Sequence, residues 1–285
     1  LFLLCLINIV IIGYIGISKF ILTKKISEID GYDFPYGILI LVFISLSLNF
    51  FFPLKHFSII ILVIGLISFL YHLKNKKIQI NWLSLFFINF GILFISYNND
   101  LNYDSMLYHL QTLKYNSNFK IILGLSNLEP RLGMNSSYHT LLSLFNLNIF
   151  NQNLIYFFNV TIFSLFLNLI FSKNFLLKKN DLLIFLSIIF ILFYSLIHPW
   201  NIGTILNNLG SPEVDIISMI FFIICFYLFL NLIHIRNEQN YNLFLITIFL
   251  LISFKLSYLY ALFLAFYIFF YCKILIINRT FIFLS

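Results

Sequence analysis

Five of the ten acidic residues in this 285-residue chain fall in two polar stretches: Asp100, Asp104 and Glu129 within residues 98–140, and Glu213 and Asp215 within residues 198–215. The same stretches hold His109, His139, His198 and Arg131, and a solitary Lys255 interrupts an apolar run further on. A carboxylate beside an acceptor hydroxyl can take its proton as a general base. Arg and Lys can bind an anionic phosphate and stabilise its departure. A glycoside oxygen needs an acid as well as a base in order to leave, whereas a phosphate departs without protonation, so one carboxylate suffices for transfer from a phosphate-linked donor. The three histidines and the acids offer an alternative, a divalent metal site, but no two of them stand at ligand spacing on one helix. Cys5, Cys225 and Cys272 all lie in apolar runs with neither metal nor disulfide spacing. No cofactor is therefore expected.

The elements around these residues follow from pattern. Residues 104–115 read as an amphipathic interfacial helix, with Asp104, Tyr108, Gln111 and Tyr115 on one side and Met106, Leu107, Leu110 and Leu113 on the other, in the lipid boundary. Asp104 is equally well placed to cap that helix. Residues 124–137, GLSNLEPRLGMNSS, form a loop by composition. In it Arg131 can pair with Glu129 or with a headgroup phosphate, and Asn135 heads a formal glycosylation sequon. Glu213 and Asp215 open the next span, where capping and compensation of the helix dipole are their simpler role. Lys255 costs about 2.5–3.5 kcal/mol at the bilayer centre, so it must reach the surface, pair with an acid or meet an anion.

The rest of the chain is lipid-compatible. It is 61% hydrophobic and 9% charged, with a mean hydropathy of +1.00, and its long apolar runs predict an all-α polytopic membrane protein of about 8–9 transmembrane helices. Spans are expected at residues 1–19, 36–54, 57–73, 80–97, 154–172, 182–197 and 216–235, with 243–272 forming one helix or two split at Lys255. Residues 1–285 form a single transmembrane domain and, starting with Leu and ending in an apolar run, are read as a fragment. With the segment between the first two spans inside, ten of the seventeen Lys and Arg residues fall on the cytoplasmic side, and twelve if 243–272 splits at Lys255. Segments 98–140 and 198–215 are then extracytoplasmic. The formal charge of +7 is accounted for by lysines near anionic lipid, so the expected partner is membrane lipid and not nucleic acid. Oligomeric state is not readable.

The run Asp104, Tyr108, His109, Leu110, followed by Gly124, Asn127, Leu128, Arg131, Leu132, Gly133, Asn135, Ser136 and Ser137, resembles poorly characterised bacterial polytopic membrane proteins. SPEVD and FKLSYLY resemble their later segments, with Glu213 where the pattern usually has Asp. Those proteins are in turn similar to the GT-C superfamily of glycosyltransferases, in which a carboxylate in an early extracytoplasmic loop serves catalysis. The resemblance implies a bacterial inner-membrane enzyme taking a polyprenyl-phosphate-linked sugar donor. It implies Asp104 as the catalytic base and Tyr108, His109, Arg131, Asn135, Glu213 and Lys255 as substrate contacts. A flippase or transporter of an amphiphilic substrate, and an envelope polysaccharide polymerase or ligase, are the alternatives. The first of these predicts ionisable groups at mid-membrane, and apart from Lys255 the spans carry almost none.

Overall fold

The structure is a computed structural model and describes residues 1–24, 27–96, 103–122, 124, 127, 136–170, 182, 185, 186, 209–234 and 238–271. These residues are mostly helical: α1 Phe2–Thr23, α2 Phe34–Phe51, α3 Ser58–Lys74, α4 Trp82–Ser96, α5 Leu110–Asn118, α6 Ser137–Ser143, α7 Ile155–Ile170, α8 Val214–His234, α9 Glu238–Phe254 and α10 Leu262–Tyr271. One small antiparallel hairpin pairs Asn148–Ile149 with Gln152–Asn153.

Four segments of 21 residues, Phe2–Leu22, Gly31–Phe51, Leu54–Lys74 and Val214–His234, are long and apolar enough to cross a membrane. At 1.5 Å per residue each reaches about 30 Å, the thickness of a hydrocarbon core. Trp82–Leu93, Ile155–Ile170 and Leu256–Phe270 are shorter apolar helices. The expected span at 182–197 lies almost wholly outside the described residues. Residues 243–272 resolve into two helices. α9 starts earlier, at Glu238, and stops at Lys255, whose backbone is extended (φ −145°, ψ 109°) before a 3-10 turn, Leu256–Ala261, leads into α10.

The core forms around α1, whose Ile7, Val10, Ile11, Tyr14 and Ile15 are fully buried. α1 crosses α3 at Gly13 and Gly65, where backbones touch: a Cβ on Gly13 would stand 2.0 Å from the Gly65 carbonyl oxygen. Close approach through small residues is a usual way for helices to associate where lipid removes the hydrophobic drive. Outward faces stay apolar, as with Ile60, Val63 and Ile67 on α3 and Phe86, Phe87 and Phe90 on α4.

The helix ends collect into two polar layers. In one, Lys19 Nζ pairs with the buried Asp33 carboxylate at 2.7 Å and Gln79 reaches Glu28 at 2.6 Å. This buried ion pair adds to the sequence expectation of nearly uncharged spans; it sits at helix ends, and each charge has its partner. The opposite layer brings together the end of α2, the segment leading into α5, α6, the start of α8 and the end of α9. Asn49 Nδ2 donates to the Asn116 and Phe119 carbonyls at 3.1 and 3.2 Å, and the Ser136 hydroxyl donates to the Phe254 carbonyl at 2.6 Å.

Candidate functional site

In the second layer, the helix that carries Asp104 is not a regular α-helix. Ser105–His109 form a π-turn, closed by the Leu110 amide donating to the Ser105 carbonyl. A π-turn adds one residue to a helical turn and changes which side chains share a face. Ser105, His109, Thr112, Leu113 and Ser117 are buried, while Asp104, Met106, Leu107 and Gln111 are exposed and Tyr108 is half-buried. The amphipathic expectation is corrected in part. Met106 and Leu107 do face outward, but Leu113 packs inside and the buried stripe is largely polar, because the π-turn shifts the register that a 3.6-residue period assumes. Nor does Asp104 cap the helix: Tyr103 is already helical, Asp104 has helical dihedrals (φ −64°, ψ −33°), and its side chain makes no capping bond.

Ser105 and His109 dock on Glu213. The Ser105 hydroxyl donates to Glu213 Oε1 at 3.2 Å, and His109 Nδ1 lies 3.5 Å from the same oxygen and 3.5 Å from Ser105 Oγ. Glu213 is 4% exposed and His109 4%. Glu213 is fixed in turn from α7, where Asn159 Nδ2 donates to the Ser211 and Glu213 carbonyls at 2.8 and 2.9 Å, and the Tyr138 hydroxyl donates to Asn159 Oδ1. His139 stacks on His109, ring centroids 4.6 Å apart at 35°. Neither His139 nitrogen has a hydrogen-bonding partner among the described residues; the Pro212 carbonyl acts on the ring without hydrogen-bonding geometry. Burial, reinforced by His109, pushes the imidazole down to about 3, so it is neutral at physiological pH.

Lys255 meets the acid that sequence reading left as a helix-dipole residue: its ammonium lies 2.5 Å from Asp215 Oδ1, both side chains partly exposed. Asp215 sits in the first turn of α8, where a carboxylate also complements the helix dipole. Next to this pair, Ser136 and Ser137 tie α6 to the end of α9. Ser136 caps α6 by accepting from the Tyr138 amide at 3.2 Å, and Ser137 donates to Ser253 Oγ at 2.9 Å. Arg131 and Asn135 lie outside the described residues, as do Asp100, Glu129 and His198.

The predicted residues therefore divide. His109 and Glu213 come together, but inside the protein, 3.5 Å apart with the Ser105 hydroxyl against both; Asp104 stays exposed on the same turn; Lys255 joins Asp215. Ser105 and Asn159 were missed and Asp215 was read only as a helix-dipole residue, although Ser105 and His109 stand four residues apart, the spacing of two side chains on one helical face. Among the described residues no group of three or more His, Cys, Asp or Glu side chains is placed to hold a metal ion.

Apolar helices of spanning length, with a polar centre gathered at one end of the bundle, define an integral membrane protein. Across residues 1–285 the chain matches the model of the family described as Domain of unknown function (DUF8201), and it belongs to that family. No curated protein and no solved structure matches it.

Proposed function

We propose that this protein transfers a sugar from a polyprenyl-phosphate-linked donor to an acceptor hydroxyl at the outer face of a bacterial inner membrane. Its architecture in this reading is GT-C-like, with about 8–9 transmembrane helices and segments 98–140 and 198–215 extracytoplasmic. The observation that carries the reading is the exposure of the Asp104 carboxylate on a turn whose neighbouring residues, Ser105 and His109, are anchored in the protein. An exposed acid on an anchored turn faces solvent and is yet held in place, as a general base requires.

The acceptor hydroxyl gives its proton to Asp104 while its oxygen attacks the anomeric carbon. The bond from that carbon to the phosphate oxygen breaks, the electron pair leaves with polyprenyl phosphate, and the anomeric configuration inverts. The step as written uses no cofactor. Arg131 and Lys255 supply positive charge to the departing phosphate, which competes with Asp215 for the Lys255 ammonium. Tyr108, one turn beyond Asp104, and Asn135, from the adjoining loop, are the polar contacts assigned to the sugar. His109 and Glu213 are reassigned, because burial keeps them from the donor.

The test is the purified protein in lipid bilayers, offered a panel of polyprenyl-phosphate sugars. Release of polyprenyl phosphate with an inverted glycosidic product is expected for at least one donor. Absence of release from every donor, or a retained configuration, contradicts the proposal.

A further inference from the structure

We infer that Glu213 is a positioning residue: through Ser105 and His109 it fixes the turn that carries Asp104, and it does not touch substrate. The inference rests on the reading of Asp104 as the base only for its kinetic half; the anchoring itself stands on geometry. The Ser105 hydroxyl donates to one Glu213 oxygen and His109 Nδ1 lies 3.5 Å from that same oxygen, so two residues of the π-turn meet a segment 108 residues from Ser105 in sequence. Asp104 precedes Ser105 directly, so the position of its Cα is set by the docking of that serine.

The anchor itself is held on several sides. Asn159 grips the backbone on both sides of Pro212, Tyr138 orients Asn159, and the His139 ring backs His109 from α6. The turn is thus fastened to α6, α7 and the start of α8 through one buried carboxylate. A residue sequestered in this way is poorly placed to meet a headgroup, but it decides where the neighbouring exposed carboxylate stands. An offset of about 1 Å in a reacting group can cost on the order of 100-fold in rate. The π-turn fits this role, since single π-turns within helices recur at functional sites.

A positioning role makes a chemical prediction that a catalytic or substrate-binding role does not. The amide oxygen of Gln can accept the same hydrogen bond from Ser105 at the same reach and lie against His109, so Glu213→Gln should keep the turn in place and kcat within about fivefold of wild type. Glu213→Ala removes the acceptor. It should lower kcat by about 30-fold or more while leaving KM within about threefold, because donor contacts are untouched. Hydrogen–deuterium exchange supplies the readout independent of activity: in Glu213→Ala the amides of residues 105–113 should exchange at least about tenfold faster, with α1–α3 unchanged, and Glu213→Gln should match wild type.

If exchange responds as expected but no lipid-linked donor reacts, the anchor stands and the glycosyltransferase reading falls. Unchanged exchange in Glu213→Ala overturns the inference, and so does a Glu213→Gln protein with wild-type exchange and no turnover. Should Glu213→Ala fail to fold, Ser105→Ala, which deletes the 3.2 Å bond to Glu213 and the 3.5 Å contact with His109, carries the same exchange test, with no acceleration at 105–113 again overturning the inference.

Discussion

At the scale of single residues, His139 carries the clearest consequence. Its folded-state value near 3 lies below the ordinary 6.5, so between those limits the unfolded chain binds a proton that the native protein does not. Stability is fully present above 6.5 and falls as pH drops through that window, by about 1.4 kcal/mol per pH unit. Since neither ring nitrogen has a hydrogen-bonding partner among the described residues and only the Pro212 carbonyl acts on the ring, His139→Phe should flatten the acid-side fall in melting temperature. An unchanged slope would show that another group sets it. Individual residues were legible in sequence only as far as their type allowed. Asp104, His109, Glu213 and Lys255 stood out because charged or polar groups are rare in so apolar a chain. That His109 and Glu213 lie against each other was not legible, because the contact joins segments about a hundred residues apart and no local pattern encodes it.

Elements were read well where the apolar period was long and badly where the helix departs from the ideal repeat. Expected spans at 1–19, 36–54, 57–73, 80–97, 154–172 and 216–235 correspond to α1, α2, α3, α4, α7 and α8 within a few residues. The break at Lys255 was legible only as one of two alternatives, because a lone ammonium in an apolar run is costly but can also pair or reach the surface without ending a helix. The π-turn was not, since one extra residue in a turn rotates the following side chains by roughly 100° and the sequence carries no mark of it. Ser136 is the element-level device most open to test. It caps α6 and donates to the last carbonyl of α9, so Ser136→Ala should lower stability by about 1 kcal/mol from the lost cap, and by more if the buried Phe254 carbonyl finds no other donor. Thermal unfolding of the purified variant measures this, and a wild-type melting temperature would mean the junction is held elsewhere.

For the molecule as a whole, the described lysines divide between the two polar layers: Lys19, Lys24, Lys74, Lys76 and Lys77 belong to the layer opposite the Glu213 centre, and Lys55, Lys114, Lys120 and Lys255 to the layer that contains it, a division that holds whichever layer faces the cytoplasm. Asn118 is exposed at the end of α5, whereas the neighbouring Ser117 is buried, its hydroxyl donating to the Leu113 carbonyl at 2.7 Å and accepting from Asn146 at 2.8 Å. Asn118→Cys, in a background with the three native cysteines replaced, should react with an impermeant thiol reagent in intact cells; labelling only after lysis would invert the orientation. Function at this scale reduces to whether the exposed carboxylate on the anchored turn removes the acceptor proton. Single-turnover transfer by Asp104→Asn, measured alongside donor affinity in the same bilayer preparation, asks this most directly. The account predicts a rate lower by about 10²–10⁴ with donor affinity nearly unchanged, because the amide preserves shape and cannot take a proton. A variant that transfers sugar at close to the wild-type rate would contradict it.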